Sequence, residues 1–227
     1  LGVTIGALII GIPTGLGCAV FLAEMVSRRP ARLFKAAIEL LAGIPSVVYG
    51  FFGLAVIVPA IRDYILPLVQ KFNPDATSSG FSVLAGAIIL AIMILPTIVG
   101  VTESAIRSVP GSYYEGSLAL GATHERSVFC AILPAAKSGR IAGVVLGIGR
   151  AIGETMAVIM VAGNQARMPA GLLRGIRTLT SNIVLEMGYA ADLHREALIA
   201  TGVVLFVFIL IINLAVSLLN RRAENGN

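Results

Sequence analysis

Arg150 and Glu154 are two opposite charges, four positions apart, inside an apolar stretch of the sequence. Residues with this spacing share one face of a helix, so the two side chains could pair with each other. A guanidinium holds several donors in a fixed plane, which suits a tetrahedral oxyanion. Two interpretations follow. The pair either locks helix packing, or forms a weak anion site in which Glu154 holds Arg150 between ligands.

Arg150 is predicted to lie deep in the membrane, where a charged side chain is costly. In a span predicted over 141–163, Arg150 would lie roughly 14 Å from the start of the helix, near the middle of a bilayer. A charge there costs at least about 2.5 kcal/mol, so it should face protein or water rather than lipid. Gly143 and Gly147 precede it on the same helix face. They would let another helix approach closely, or leave space for a small solute.

Catalytic and metal-binding patterns are absent from the sequence. It contains no His-Glu-x-x-His, no Gly-x-Ser-x-Gly and no Gly-x-x-x-x-Gly-Lys. His124 and His194 fall in connections predicted on opposite sides of a membrane, so they could not share a metal. We therefore predict a chain that is not an enzyme, binds no cofactor or metal itself, and needs a separate ATPase for any ATP-driven function.

Composition excludes the soluble classes. Hydrophobic residues make up 57% of the 227 residues and charged residues 13%, against about 25% charged in soluble domains. The mean hydropathy is +0.92. The net charge of +5 is spread along short connections rather than forming a patch, so we predict a membrane protein and no nucleic-acid partner.

Five apolar stretches are long enough to cross a bilayer, which needs about 20 residues each. They cover residues 1 to about 23, 38–61, 81–102, 141–163 and 197–219. The sequence thus predicts an all-α, polytopic membrane helix bundle, with residues 1–227 forming one transmembrane domain. Because Leu1 already lies inside an apolar run, we expect a further span to precede it.

Basic residues orient these spans. The connections after the first, third and fifth spans carry 10 Lys and Arg, and the alternate connections carry 6. The first set is therefore predicted to be cytoplasmic. This places a long connection over about 103–140 in the cytoplasm, and another over about 164–195 outside, with a short helix near 180–187.

The cytoplasmic connection predicts a helical hairpin broken at Gly121 and Pro134. Such a knob would suit a soluble partner, although an ordinary hairpin fits the spacing equally well. The first arm and the turn of this hairpin contain Glu115, Gly116, Ser117, Leu118, Ala119 and Gly121.

This hairpin resembles the EAA motif of ABC importer permeases: Glu-Ala-Ala, three residues, Gly, nine residues, Ile-x-Leu-Pro. Glu115, Gly121, Leu133 and Pro134 match in register, whereas Ala131 replaces Ile and Gly-Ser replaces Ala-Ala. The segments 38–50 and 147–157 and the last span are similar to the PstC-type permeases of phosphate importers. The resemblance covers essentially the whole chain, without the family's first span.

The resemblance implies a type I ABC importer permease fold in the bacterial inner membrane, surrounded by lipid. The implied partners are a homologous PstA-type permease, two cytoplasmic ATP-binding subunits and an extracytoplasmic phosphate-binding protein. The segment from Glu115 to Gly121 would be the coupling helix for the ATPase. Arg150 and Glu154 match the family's intramembrane Arg and Glu, which are tied to phosphate passage.

Three alternatives remain open at this stage. The chain could be the PstA-type partner, or a permease for another oxyanion such as sulfate or molybdate. It could also be a passive anion channel with Arg150 as its filter.

Overall fold

The chain is built almost wholly from helices, as its composition predicts. A computed structural model describes residues 1–74, 76–168 and 171–225, so residues 169–170 of the predicted external connection lie outside the described residues. Within the described ranges, the Gly163–Ile176 bridge is the only extended pairing. The helices are α1 (Gly2–Met25), α2 (Arg28–Gly43), α3 (Ser46–Gln70), α4 (Val83–Arg107), α5 (Gly111–Ala119), α6 (His124–Ala135), α7 (Lys137–Gly153), α8 (Met156–Val161), α9 (Leu179–Glu186) and α10 (Asp192–Asn225).

Four of the described helices are long and apolar enough to cross a membrane. They are α1, α3, α4 and the Asp192–Ala215 part of α10. The pair α6–α7 is a fifth candidate, and its two helices are bent by 70°. The described chain therefore has four candidate spans, or five if the bent pair counts as one.

The second predicted span is wrong in its boundaries. Residues 38–43 belong to α2, and the chain is extended at Pro45, with φ −60° and ψ 143°. A proline favours extended backbone before it and a helix start after it, so α3 begins at Ser46. This helix runs on to Gln70, nine residues beyond the predicted end of the span at residue 61. Arg62 therefore lies inside the helix, where it pairs with Asp63 at 2.7 Å.

The fourth predicted span is also interrupted. Helix α7 ends at Gly153, Glu154 and Thr155 are not helical, and α8 begins at Met156. Glycine has low helix propensity, and the Glu154 carboxylate accepts backbone hydrogen bonds that help to start the next helix. The predicted continuous helix over 141–163 is therefore two helices.

Contacts between Cα atoms divide the chain into two compact units. The first unit comprises Leu1–Gly11, Ile44–Met93 and Ile148–Ile212. The second unit comprises Ile12–Gly43, Ile94–Gly147 and Asn213–Asn227.

Helices α3, α4 and α8 pack closely together and form the core of the first unit. The core includes Tyr49, Ile57, Ile61, Ile89, Met93, Ala157 and Val161. A Cβ on Gly50 would lie 2.5 Å from the sulfur of Met160, and one on Gly53 would lie 2.7 Å from Val161. Small residues thus let these helices pack at short distance, as is common in membrane proteins.

A row of glycines on α7 forms the contact with α4 in the second unit. A Cβ on Gly139 would collide with Ala105, one on Gly143 would lie 2.8 Å from Thr102 Oγ1, and one on Gly147 would lie 2.7 Å from Ile98. The interpretation of these glycines as a helix contact surface is therefore confirmed. The hairpin packs nearby through an apolar cluster that contains Ile106, Val128, Ile132, Leu133 and Ala136.

Candidate functional site

Arg150 occupies the last turn of α7 in the first unit, where its residue is half-buried. Among the described residues, no hydrogen bond or ion pair engages its guanidinium. Arg150 is therefore a cation in a predicted span with all its hydrogen-bond donors available.

The Glu154 carboxylate accepts backbone hydrogen bonds at the break between α7 and α8. Its Oε1 accepts the N–H of Thr155 at 3.0 Å and that of Ala157 at 3.2 Å. Because α7 ends at Gly153, Arg150 and Glu154 no longer lie one turn apart on a continuous helix. The four ion pairs found in the described ranges do not include these two residues, so the predicted direct pairing is not present.

A cavity of about 250 Å³ lies next to Glu154 within the first unit. Its walls are mainly apolar, and Thr178 and Thr180 add hydroxyl groups. The Thr180 hydroxyl donates to the main-chain oxygen of Glu154 at 3.4 Å, so the connection between α8 and α10 reaches the break between α7 and α8. The sequence gives no periodic signal for either threonine, because both lie at the start of a short helix.

The connection that was predicted to be external is held in place around Arg177. The guanidinium of Arg177 donates to Glu186 at 2.7 Å, to Asn182 at 3.2 Å and to the main-chain oxygen of Asn164 at 3.1 Å. These bonds fix both ends of α9. The short helix predicted near 180–187 is confirmed as Leu179–Glu186.

The hairpin in the second unit consists of α5, a turn and α6. Gly121 has φ +83°, a conformation that favours glycine, and its N–H donates to the Leu118 carbonyl at 2.8 Å. The N–H of Ala122 donates to the Ser117 carbonyl at 3.2 Å and completes the C-terminal cap. The predicted break at Gly121 is confirmed, whereas the helix continues through Pro134 to Ala135 before it bends.

The predicted contact residues form the outer surface of the hairpin. Ser117 is half-buried, and its hydroxyl accepts a hydrogen bond from Ser127 at 2.9 Å. The neighbouring Leu120 is 91% exposed at the turn. Apolar side chains at the tip of a hairpin suit the groove of a protein partner. The exposed candidates are Glu115, Gly116, Leu118, Ala119 and Gly121.

A buried carboxylate that sequence reasoning missed lies at the end of α4. The Glu103 residue is 4% exposed, accepts a bond from Lys35 of α2 at 2.9 Å, and forms an ion pair with Arg107 one turn further on. Arg107 also donates to the main-chain oxygen of Leu22 in α1 at 2.8 Å. Glu103 thus ties three helices together in the second unit. The i, i+4 spacing to Arg107 was its only sequence signal.

The family comparison covers nearly the whole chain. A family model described as binding-protein-dependent transport system inner membrane component matches residues 11–225. The phosphate transport system permease protein PstC of Xylella fastidiosa (strain 9a5c) is 36% identical over 232 residues, covering 97% of this chain and 72% of the relative. A probable ABC transporter permease protein, YqgH of Bacillus subtilis (strain 168), is 40% identical, covering 92% of this chain and 67% of the relative.

Solved structures of transporters share the fold. An inward-facing conformation of the MetNI methionine ABC transporter has a TM-score of 0.70 at 19% identity, covering 97% of this chain and 91% of that chain. A bacterial ABC transporter involved in the import of the acidic polysaccharide alginate has a TM-score of 0.65 at 16% identity, covering 97% and 76%. At these identities the likeness concerns the fold alone, and it agrees with the predicted type I ABC importer permease architecture.

Proposed function

The chain belongs to the family of binding-protein-dependent transport system inner membrane components, and we propose from this that it forms part of the pathway by which phosphate enters the cell. It is a membrane-spanning permease subunit of an ABC importer, located in the inner membrane. Relatives named as phosphate transport permeases match 96–97% of its length, which supports phosphate as the cargo.

The observation that carries this proposal is the guanidinium of Arg150, which has no hydrogen-bond or ion-pair partner in the described part of the chain. Arg150 is a half-buried cation on α7, which is a candidate span together with α6, and its donors engage no described residue. Such a group favours an oxyanion as its partner. Glu154 supports the site indirectly, because its carboxylate fixes the backbone where α7 gives way to α8. Arg150 would bind the anion and Glu154 would position the segment that carries it.

In the proposed importer, the hairpin connects this chain to the subunits that hydrolyse ATP and so supply the energy for transport. Membership of this family implies ATP-binding subunits and a substrate-binding protein as partners. More specifically, we place two cytoplasmic ATP-binding subunits on the surface from Glu115 to Gly121, a PstA-type permease beside this chain and a phosphate-binding protein outside. ATP hydrolysis then belongs to the partner subunits, and this chain binds no cofactor. Closure of the ATPase pair would move the hairpin and drive alternating access.

The experiment that tests the function is phosphate uptake by vesicles that contain the assembled complex, with and without ATP, and with sulfate as competitor. We expect uptake that requires ATP and resists sulfate. Uptake that persists without ATP would identify a passive anion channel, and strong competition by sulfate would identify a permease for another oxyanion.

The site is tested by Arg150→Gln in the same vesicles. Loss of a bidentate, charge-assisted contact should reduce uptake at least about 100-fold, because each bond contributes about 1.5–3 kcal/mol. The matched control is Arg62→Gln, since Arg62 is an exposed arginine on α3 that already pairs with Asp63. Normal uptake by the Arg150 variant would assign Arg150 a packing role.

A further inference from the structure

The last turn of α1 ends in carbonyl groups that the helix itself cannot satisfy. Residues Phe21–Met25 form a wider, π-helical turn, closed by a bond from the Val26 N–H to the Phe21 carbonyl at 3.1 Å. The final carbonyls of any helix lack intrahelical partners and carry partial negative charge. Basic side chains are therefore the natural groups to bind them.

Two basic side chains from outside α1 bind these carbonyls. Arg107, at the end of α4, donates to the Leu22 carbonyl at 2.8 Å. His124, at the start of α6, contacts the Glu24 carbonyl through Nε2 at 3.2 Å. A carbonyl can only accept, so Nε2 must carry the proton. The two donors lie on either side of α5, one immediately before the hairpin and one within it.

The same imidazole also binds the other arm of the hairpin. With its proton on Nε2, the ring accepts a hydrogen bond at Nδ1 from the Tyr114 hydroxyl, at 3.0 Å. The two rings meet edge to face, with centroids 5.7 Å apart. His124 thus joins α5, α6 and α1 through one side chain. Val20 and Ala23 of α1 pack beside it on the apolar cluster of the hairpin.

We propose that the C-terminal end of α1 moves together with the hairpin as one body, and that His124 and Arg107 are positioning residues that pass the ATPase-driven displacement to α1. The proposal rests on the proposed function. Polar bonds and apolar packing act at the same place, so a displaced hairpin cannot leave α1 behind without breaking both. When the ATPase subunits displace the hairpin, α1 is therefore displaced as well, in addition to the helices that are covalently joined to the hairpin.

The functional test measures phosphate transported per ATP hydrolysed by the reconstituted complex, together with its content of ATPase subunits. His124→Phe keeps a flat ring but removes both hydrogen bonds, so this ratio should fall about tenfold. His124→Gln keeps an N–H that can reach the Glu24 carbonyl, and it should restore most of the ratio. Glu24→Ala is the matched control, because it leaves the main-chain carbonyl in place. A wild-type ratio for the Phe variant would overturn the proposal.

A second measurement follows the movement directly. Cys18 of α1 and Cys130 of α6 are both exposed and free, so spin labels can be attached to them in a complex whose other subunits lack cysteine. We expect the same distance between labels in the nucleotide-free and ATP-trapped wild-type complex, and an altered or broader distance in the Phe variant. A wild-type distance that changes between the two states would show that α1 does not follow the hairpin.

The two measurements separate this proposal from the proposed function. If the wild-type complex moves no phosphate, the proposed cargo is wrong, but the label distance still tests the joint movement. If the Phe variant loses its ATPase subunits, the wild-type distance decides the question.

Discussion

Replacing Glu154 by glutamine distinguishes the two roles that this carboxylate could have. In the structure its Oε1 accepts two backbone N–H groups, at 3.0 and 3.2 Å. A glutamine side chain has the same shape and can present an amide oxygen to both donors. It lacks the negative charge that direct pairing with Arg150 would require.

The expected magnitude follows from those two bonds. A hydrogen bond to a charged group contributes about 1.5–3 kcal/mol and a neutral one about 1 kcal/mol. For a half-buried side chain with two such bonds, we expect the exchange to lower the stability of the complex by about 1–2 kcal/mol. The charge itself would not act on the anion, so the KM for phosphate uptake should stay within about threefold of wild type.

A direct Arg150–Glu154 ion pair would give a much larger effect. Two charges 4 Å apart at an effective dielectric constant of 20 interact by about 4 kcal/mol, and its removal would change anion affinity several hundredfold. The assay is the KM for ATP-dependent phosphate uptake in vesicles, with Asp63→Asn on α3 as the control carboxylate. A change in KM of about tenfold or more for Glu154→Gln would refute a purely backbone role.

Two further substitutions test the second unit. Gly121→Pro should abolish co-purification of the ATPase subunits, because φ is +83° and the Gly121 N–H is bonded to Leu118. The control Gly188→Ala lies outside the hairpin, at a position where a Cβ meets open space, and should retain them. Glu103→Leu should lower the free energy of unfolding by about 2 kcal/mol, which is less than the cost of breaking a fully buried ion pair. The cost is smaller because the Lys35 and Arg107 side chains are 49% and 44% exposed, so water can hydrate them once the carboxylate is gone. Thermal unfolding followed by circular dichroism measures this, and an unchanged transition would contradict it.

The features that could be predicted from the sequence depend on local composition and turn chemistry. The first and third spans, predicted over residues 1–23 and 81–102, are close to α1 and α4. Apolar length alone identifies such helices. Gly121 was recognisable because a helix that ends in a left-handed residue strongly favours glycine.

The features that were missed depend on where helices end inside apolar stretches, or on contacts between residues far apart in the sequence. Hydropathy did not detect the end of a helix at Pro45, because apolar residues lie on both sides of it. The predicted pairing of Arg150 with Glu154 assumed a continuous helix. In the structure the helix is broken, and the Glu154 carboxylate accepts a hydrogen bond from the backbone N–H of Thr155 at the break. Glu103 was assigned to the cytoplasmic connection because the third apolar stretch ends just before it. Its pairing with Lys35 was missed because the two residues lie 68 positions apart in the sequence.

The two hydrogen bonds that join α1 to the end of α4 and to the hairpin differ in how mutations can remove their two sides. Leu22 and Glu24 contribute only main-chain carbonyls to them, whereas Arg107 and His124 contribute side chains. Every amino acid carries a carbonyl, so changes of residue type at positions 22 and 24 leave both acceptors in place. A single nucleotide change can remove a donor, but it cannot remove an acceptor. As far as these two bonds are concerned, genetic loss of the link can arise only on the side of α4 and α6.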